Sequence, residues 1–196
     1  MLIASQKRKE NIAEYLLYMW QIEDLIRANG LDIERIRERI IDSYPATDEQ
    51  RARMVQWYES LIDMMRREEV EKEGHLQINK NIIGALADLH RRILDDPRMD
   101  RYRNEFYRTL PYIVELRAKS ADKAVGEIET CFNALYGLMM MRMSGKEISA
   151  DTMDAMNQIS RFISLLAHDW KLDEEDKLFP PEHDKNPGAD AHSSSD

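Results

Sequence analysis

Residues 10–30, ENIAEYLLYMWQIEDLIRANG, set Ile12, Tyr15, Met19, Ile22 and Ile26 at steps of three and four. Side chains with that spacing share one face of an α-helix, so the stretch reads as an amphipathic helix with a buried stripe. Ser5 is the expected cap ahead of it, and Gly30 suits the left-handed residue just past its end.

The same spacing recurs along the chain. Ile33, Ile36 and Ile40 form a short stripe opened by Asp32 and closed before Tyr44-Pro45. Thr47-Asp48-Glu49-Gln50 is a capping-box pattern, in which the Thr hydroxyl and the Gln side chain satisfy free backbone donors; it opens a stripe of Met54, Tyr58, Leu61 and Met65 that Gly74 is expected to end. Leu76, Ile83, Leu86 and Ile93 follow, with Asn79 and His90 at two positions of the same stripe. Asp96-Pro97 then reads as a cap with proline at the first helical position. Met99, Tyr102, Phe106, Leu110, Ile113 and Leu116 continue in phase through Pro111, so a kinked single helix is expected there. Val125, Ile128, Phe132, Leu135 and Met139 mark a sixth helix stopped by Gly145, and Met156, Ile159, Ile163, Leu166 and Trp170 a seventh capped near Ser149.

Composition agrees. With 7 Gly and 6 Pro in 196 residues the chain has too few turn formers for a many-stranded sandwich or barrel. Six or seven helices joined by short connections predict a single all-α, up-and-down antiparallel bundle over residues 1–172. From residue 173 the character changes. The last 24 residues hold three of the six prolines, a serine run, eight acidic residues and two lysines, which predicts a disordered acidic tail. The formal net charge of −9 is therefore mostly the tail's: the first 172 residues carry 26 basic and 29 acidic side chains. The body is close to neutral.

Several function classes lose support on these grounds. The longest apolar run, Ala134 to Met141, is far short of the roughly 20 residues that cross a bilayer. The start of the chain lacks a charge-then-apolar leader, and a single cysteine, Cys131, lies within an apolar helical pattern, so a cytoplasmic protein with a buried thiol is expected. Basic pairs are interleaved with acids, and even Arg98 to Arg108, the most basic segment, reads as a salt-bridged helix face rather than a nucleic-acid contact. Glu-x-x-His, which a carboxylate-bridged metal centre in a bundle requires, does not occur. No catalytic residue, metal ligand or cofactor is expected.

The residues singled out are therefore few. His90 and Asn79 sit on a core stripe, His90 as a hydrogen-bonded core-edge histidine and Asn79 as a buried polar residue fixing helix register. They lie too far apart along one helix to share a small reaction centre. His168-Asp169 are adjacent on a helix and point in different directions. Met139, Met140, Met141 and Met143 form a near-continuous run in a chain with 12 methionines, and apolar residues on every side of a helix suggest central burial or a partner's cover. Arg142 within the run favours an interface or edge. Gly84, Gly126 and Gly137 suggest close helix contacts.

ENIAEYLLYMWQIEDLIRANGLD together with the later LLAHDWKLDEEDKL resembles a bacterial family of all-helical proteins of about this length, classed as a domain of unknown function. The likeness spans most of the chain to about Leu178. It implies a bacterial, cytoplasmic helical protein and carries no activity or site residues. The expected function is a non-enzymatic module that binds another protein or itself through apolar, Met-rich helix surface. The alternative is a small-molecule binder or enzyme whose pocket between helices is lined by Tyr and Trp, with His90 as its polar group.

Overall fold

A computed structural model describes residues 2–120 and 124–179, and among them every regular element is helical. α1 (Leu2–Glu10) leads into α2 (Ile12–Ala28), α3 (Ile33–Arg39), a single 3-10 turn at Ile41–Ser43, α4 (Asp48–Arg67), α5 (Gln77–Asp95), α6 (Asp100–Lys119), α7 (Glu127–Met143) and α8 (Ala150–Glu174). The fold is an all-α up-and-down bundle. α8, the longest helix, packs against α2, α5, α6 and α7, whereas α4 packs against α3 and α2 to one side.

Local chemistry explains where the helices start. The Thr47–Gln50 capping box forms with both of its hydrogen bonds, Asp32 accepts from the amides of Glu34 and Arg35, and Ser149 accepts from Thr152. Two starts differ from expectation. Asn11 rather than Ser5 caps α2, accepting from Ala13 and Glu14, because the preceding residues already form α1. Asp96 is not the cap of α6. Its carboxyl group instead accepts from the Arg98 amide and pairs with the Arg98 guanidinium, which holds it down at about 2, and the helix opens at Asp100.

Four of the ends follow one rule. α2, α4, α7 and α8 each stop at a residue of positive φ, and in each the next amide donates to the carbonyl five residues back: Leu31 to Ile26, Val70 to Met65, Lys146 to Met141, Lys177 to Leu172. Gly30 and Gly145 are the left-handed residues in two of these, as glycine permits. Glu69 and Asp176 take that role in the others, so α4 ends at Arg67 and not at Gly74. α8 likewise runs past residue 172. Asp173 pairs with Arg92, Leu178 is buried, and the Arg92 guanidinium lies 5.3 Å over the Phe179 ring. Residues 173–179 therefore belong to the bundle rather than the tail, and the tail expected beyond them lies outside the described residues.

α6 passes through Pro111 as one helix. The core comprises Leu16, Ile26, Leu86, Ile93, Phe132, Ile159, Phe162 and their neighbours, with Cys131 inside it, where burial pushes the thiol up. The methionine run departs from the core reading. Leu138 is buried, but Met139, Met140 and Met141 are only half-buried and Met143 is 70% exposed, because the neighbouring helices reach only part of the last turns of α7.

The glycines also depart from expectation. Gly126 is the residue before α7 rather than inside it, and among the described residues a Cβ placed at Gly84, Gly126 or Gly137 would meet no atom of a packed neighbour within 4 Å. No close helix contact requires them. Gly84→Ala and Gly137→Ala should therefore each stabilise the protein, by about 0.5–1 kcal/mol, through reduced unfolded-chain entropy and better helix propensity. Denaturant titration checks this, and destabilisation by either change would show a contact at that position.

Candidate functional site

On the core face of α2, between Met19 and Ile26, stands an acid. Glu23 has no exposed surface, and a buried carboxyl group is costly unless donors surround it. Its donors come from the entry to α5, a helix whose own N-cap residue, Leu76, offers no side-chain cap. The Leu76 amide donates to Glu23 Oε1 at 2.9 Å, Asn79 Nδ2 donates to the same oxygen at 2.6 Å, and His75 Nδ1 lies 2.6 Å from Oε2. The acid thus caps α5 across the fold, where the helix dipole favours negative charge. One turn along α2, Arg27 donates to the carbonyls of Val70 and Gly74 and pairs with Asp24, tying down the rest of the same connection.

The His75 ring stacks on Trp20 at 4.1 Å between centroids and 12° between planes. Trp20, His75 and Asn79, with Lys80, Ile83 and Glu129, line a cavity of about 200 Å³ between α2, α5 and α7. Trp20 Nε1 and Asn79 Oδ1 are both buried, and among the described residues neither has a hydrogen-bond partner. Among the described residues, neither Lys80 nor Glu129 has an ion-pair partner within 4.0 Å.

His90 occupies a different place. It is buried, its Nδ1 lies 2.8 Å from the Tyr102 hydroxyl, and the rings of Phe106, Tyr102 and Phe162 pack around it at 4.7–5.7 Å. Glu127, from the first turn of α7, brings Oε2 to 3.6 Å from Nε2. Burial holds the imidazole below its ordinary value, and Glu127 pulls the other way. His90 is therefore a core histidine in an aromatic setting. Asn79 and His90 serve separate clusters, in keeping with their separation along α5. The methionine run is elsewhere again: Gln21 Nε2 donates to Met139 Sδ at 3.0 Å, and Arg142 reaches Met153 Sδ at 3.6 Å.

A second opening lies between α1, α2 and α4. Tyr18, Tyr44, Trp57 and Tyr58 converge with Met54 and Ile3 on a groove of about 430 Å³, with Gln50 and Arg53 at its edge. Trp57 and Tyr58 meet edge to face at 5.0 Å. Burial, and then the nearby Tyr18 and Tyr44, push the Tyr58 phenol up, so its hydroxyl stays a neutral donor. Of the basic segment, Arg98 and Arg103 are bound to Asp96 and Asp100. Arg101 instead faces an open, polar groove with Arg161 and His168 of α8.

Glu23 and His75 escape a reading by residue spacing. The signal for Glu23 was present, since it sits four residues after Met19 and three before Ile26, within the apolar stripe. His75 precedes its helix and belongs to no stripe, so nothing in the chain order pairs it with an acid 52 residues away. Among the described residues no three His, Cys, Asp or Glu side chains are grouped to hold a metal ion, and no helix is long and apolar enough to cross a membrane.

A family model described as Domain of unknown function (DUF4924) matches residues 1–177, so the chain belongs to that family. No curated protein and no solved structure matches it.

Glu23→Ala should destabilise the protein by about 3–5 kcal/mol, because three buried or half-buried polar groups lose their partner together. Glu23→Gln retains an acceptor for Leu76 and Asn79 and should cost less. Urea unfolding of the two variants checks the order, and a loss below about 1 kcal/mol for Glu23→Ala would show that water replaces the acid.

Proposed function

We propose that this family member is a non-enzymatic binding protein whose ligand is a flat, ring-bearing small molecule held in the groove between α1, α2 and α4. The observation that carries this reading is the convergence of four aromatic rings, Tyr18, Tyr44, Trp57 and Tyr58, on one opening. Its volume of about 430 Å³ lies within the range of roughly 300–1,000 Å³ typical of ligand pockets. Aromatic walls favour an aromatic guest, through offset or edge-to-face contacts with ring centroids about 4.5–7 Å apart. A few polar groups, the phenols and Gln50, orient it, while Arg53 already pairs with Glu49. Ile3 and Tyr44, each 45% exposed at the rim, are apolar surface that such a guest would cover. The alternative expected from the sequence made His90 the polar group of a pocket lined by Tyr and Trp; His90 lies in a separate aromatic cluster, and in this groove the phenols would take that role.

A separate observation supports self-association. Tyr107, Pro111 and Val114 lie at helical spacing on the outer face of α6, with Tyr107 59% and Val114 58% exposed. A second copy of the chain is the partner this reading names, and the exposed Met143 at the end of α7 adds a flexible apolar contact.

The two readings have separate tests. Saturation-transfer NMR with indole and 2-naphthoate should detect binding, and Trp57→Ala or Tyr44→Ala should weaken it roughly tenfold, as loss of an aromatic anchor does. Undiminished signals in both variants would place the ligand elsewhere. Sedimentation equilibrium should show a dimer that Val114→Glu converts to monomer, and a wild-type chain that stays monomeric at high concentration overturns self-association.

A further inference from the structure

The cavity between α2, α5 and α7 has a donor and acceptor inventory that the fold itself does not use. Trp20 Nε1–H is a donor without a partner among the described residues, and Trp20 is 2% exposed. Asn79 Oδ1 is likewise an acceptor without a partner among the described residues, and Asn79 has no exposed surface. Its amide nitrogen is committed to Glu23, so the side chain cannot flip to exchange donor for acceptor. Buried polar atoms left unpaired cost about 1–3 kcal/mol each. Such atoms in a native fold ask for an account, and ligand contact is one that the surroundings support.

Those surroundings are charged and of both signs. Lys80, which is exposed, and Glu129, which is half-buried, complete the lining, and among the described residues neither has an oppositely charged side-chain atom within 4.0 Å, the other included. The wall therefore offers a cation and an N–H donor for an anionic group, and an anion and a C=O acceptor for a cationic one. His75 is held at Nδ1 by Glu23 and braced by the stacked Trp20 ring, which fixes its orientation at the wall. Ile83 supplies an apolar patch. About 200 Å³ admits a small molecule, equivalent to roughly seven waters at about 30 Å³ each, and excludes large aromatic side chains.

We propose that this cavity is a binding site for a small zwitterion, a free α-amino acid with a short side chain, its carboxylate toward Lys80 and Trp20 and its ammonium toward Glu129 and Asn79. The site is separate from the aromatic groove, which lies across α2, and stands or falls independently of it. Neutral amides share the donor and acceptor but leave both charges unused, so the two unpaired charges are what select the zwitterion.

The experiment is a calorimetric and thermal-shift titration of the full chain with glycine, alanine and serine. N-acetylalanine, which lacks the ammonium, ethylamine, which lacks the carboxylate, acetamide and tryptophan serve as comparisons. At least one of the three amino acids should bind saturably and raise the melting temperature, with each comparison compound weaker by at least about tenfold, the effect of one charged hydrogen bond. Lys80→Met and Glu129→Gln, made at residues outside the Glu23 clasp, should each weaken that binding by about the same factor while leaving the circular dichroism spectrum unchanged. Absence of saturable binding by all three amino acids overturns the proposal. Equal binding of N-acetylalanine, ethylamine or acetamide overturns it too, as does binding unaffected by both substitutions.

Discussion

Burial of the Glu23 carboxyl group constrains the rest of the structure. An acid with no exposed surface on the core face of a helix is tolerable only where several donors meet it, and here all three come from residues 75–79. The connection between α4 and α5 is therefore held against α2, and α5 starts where the acid can cap it. Once α5 is set, its strongly amphipathic face puts Leu86, Leu89 and Ile93 into the core, next to the central helix α8. Arg27 strengthens the same junction from the next turn of α2, through two carbonyls of the connection.

That arrangement makes α2 the wall of both openings. Tyr18 faces the aromatic groove formed with α1 and α4, while Trp20, two residues on and pointing to another side of the helix, faces the polar cavity formed with α5 and α7. The groove exists because α4 packs on α2 and α3 rather than joining the contacts around α8, so the loop at residues 44–46 and the start of α1 bound an opening that no other described helix fills. The cavity exists because polar residues occupy positions that an aliphatic core would close. His90 shows the contrast, since Phe106 and Phe162 pack against the imidazole directly.

Much of the fold was readable from side-chain spacing, for a simple reason. Stripes at steps of three and four bury one face of each helix, and Thr47, Asp32 and Ser149 cap through hydrogen bonds made within three residues of themselves. Ends were less readable wherever a residue other than glycine took the left-handed conformation, as at Glu69 and Asp176. The last turn of the bundle was missed because Leu178 and Phe179 are only two apolar residues in a polar stretch, and their value depends on Arg92, which lies far away in the chain. The in-helix glycines misled because chain order does not tell whether the space opposite a missing Cβ is filled.

The sequence by itself determined the helical class, most helix boundaries, the near-neutral body and the membership of a family already suggested by residues 10–32 and 165–178. Each of these rests on interactions within a few residues, or on composition. The tertiary structure alone decided that Glu23 meets His75 and Asn79, that three tyrosines and a tryptophan from three separate segments share a groove, and that the methionine run lies partly exposed at a helix end. Those outcomes depend on which helix faces pack together, and helical periodicity specifies that a face is buried without specifying its partner.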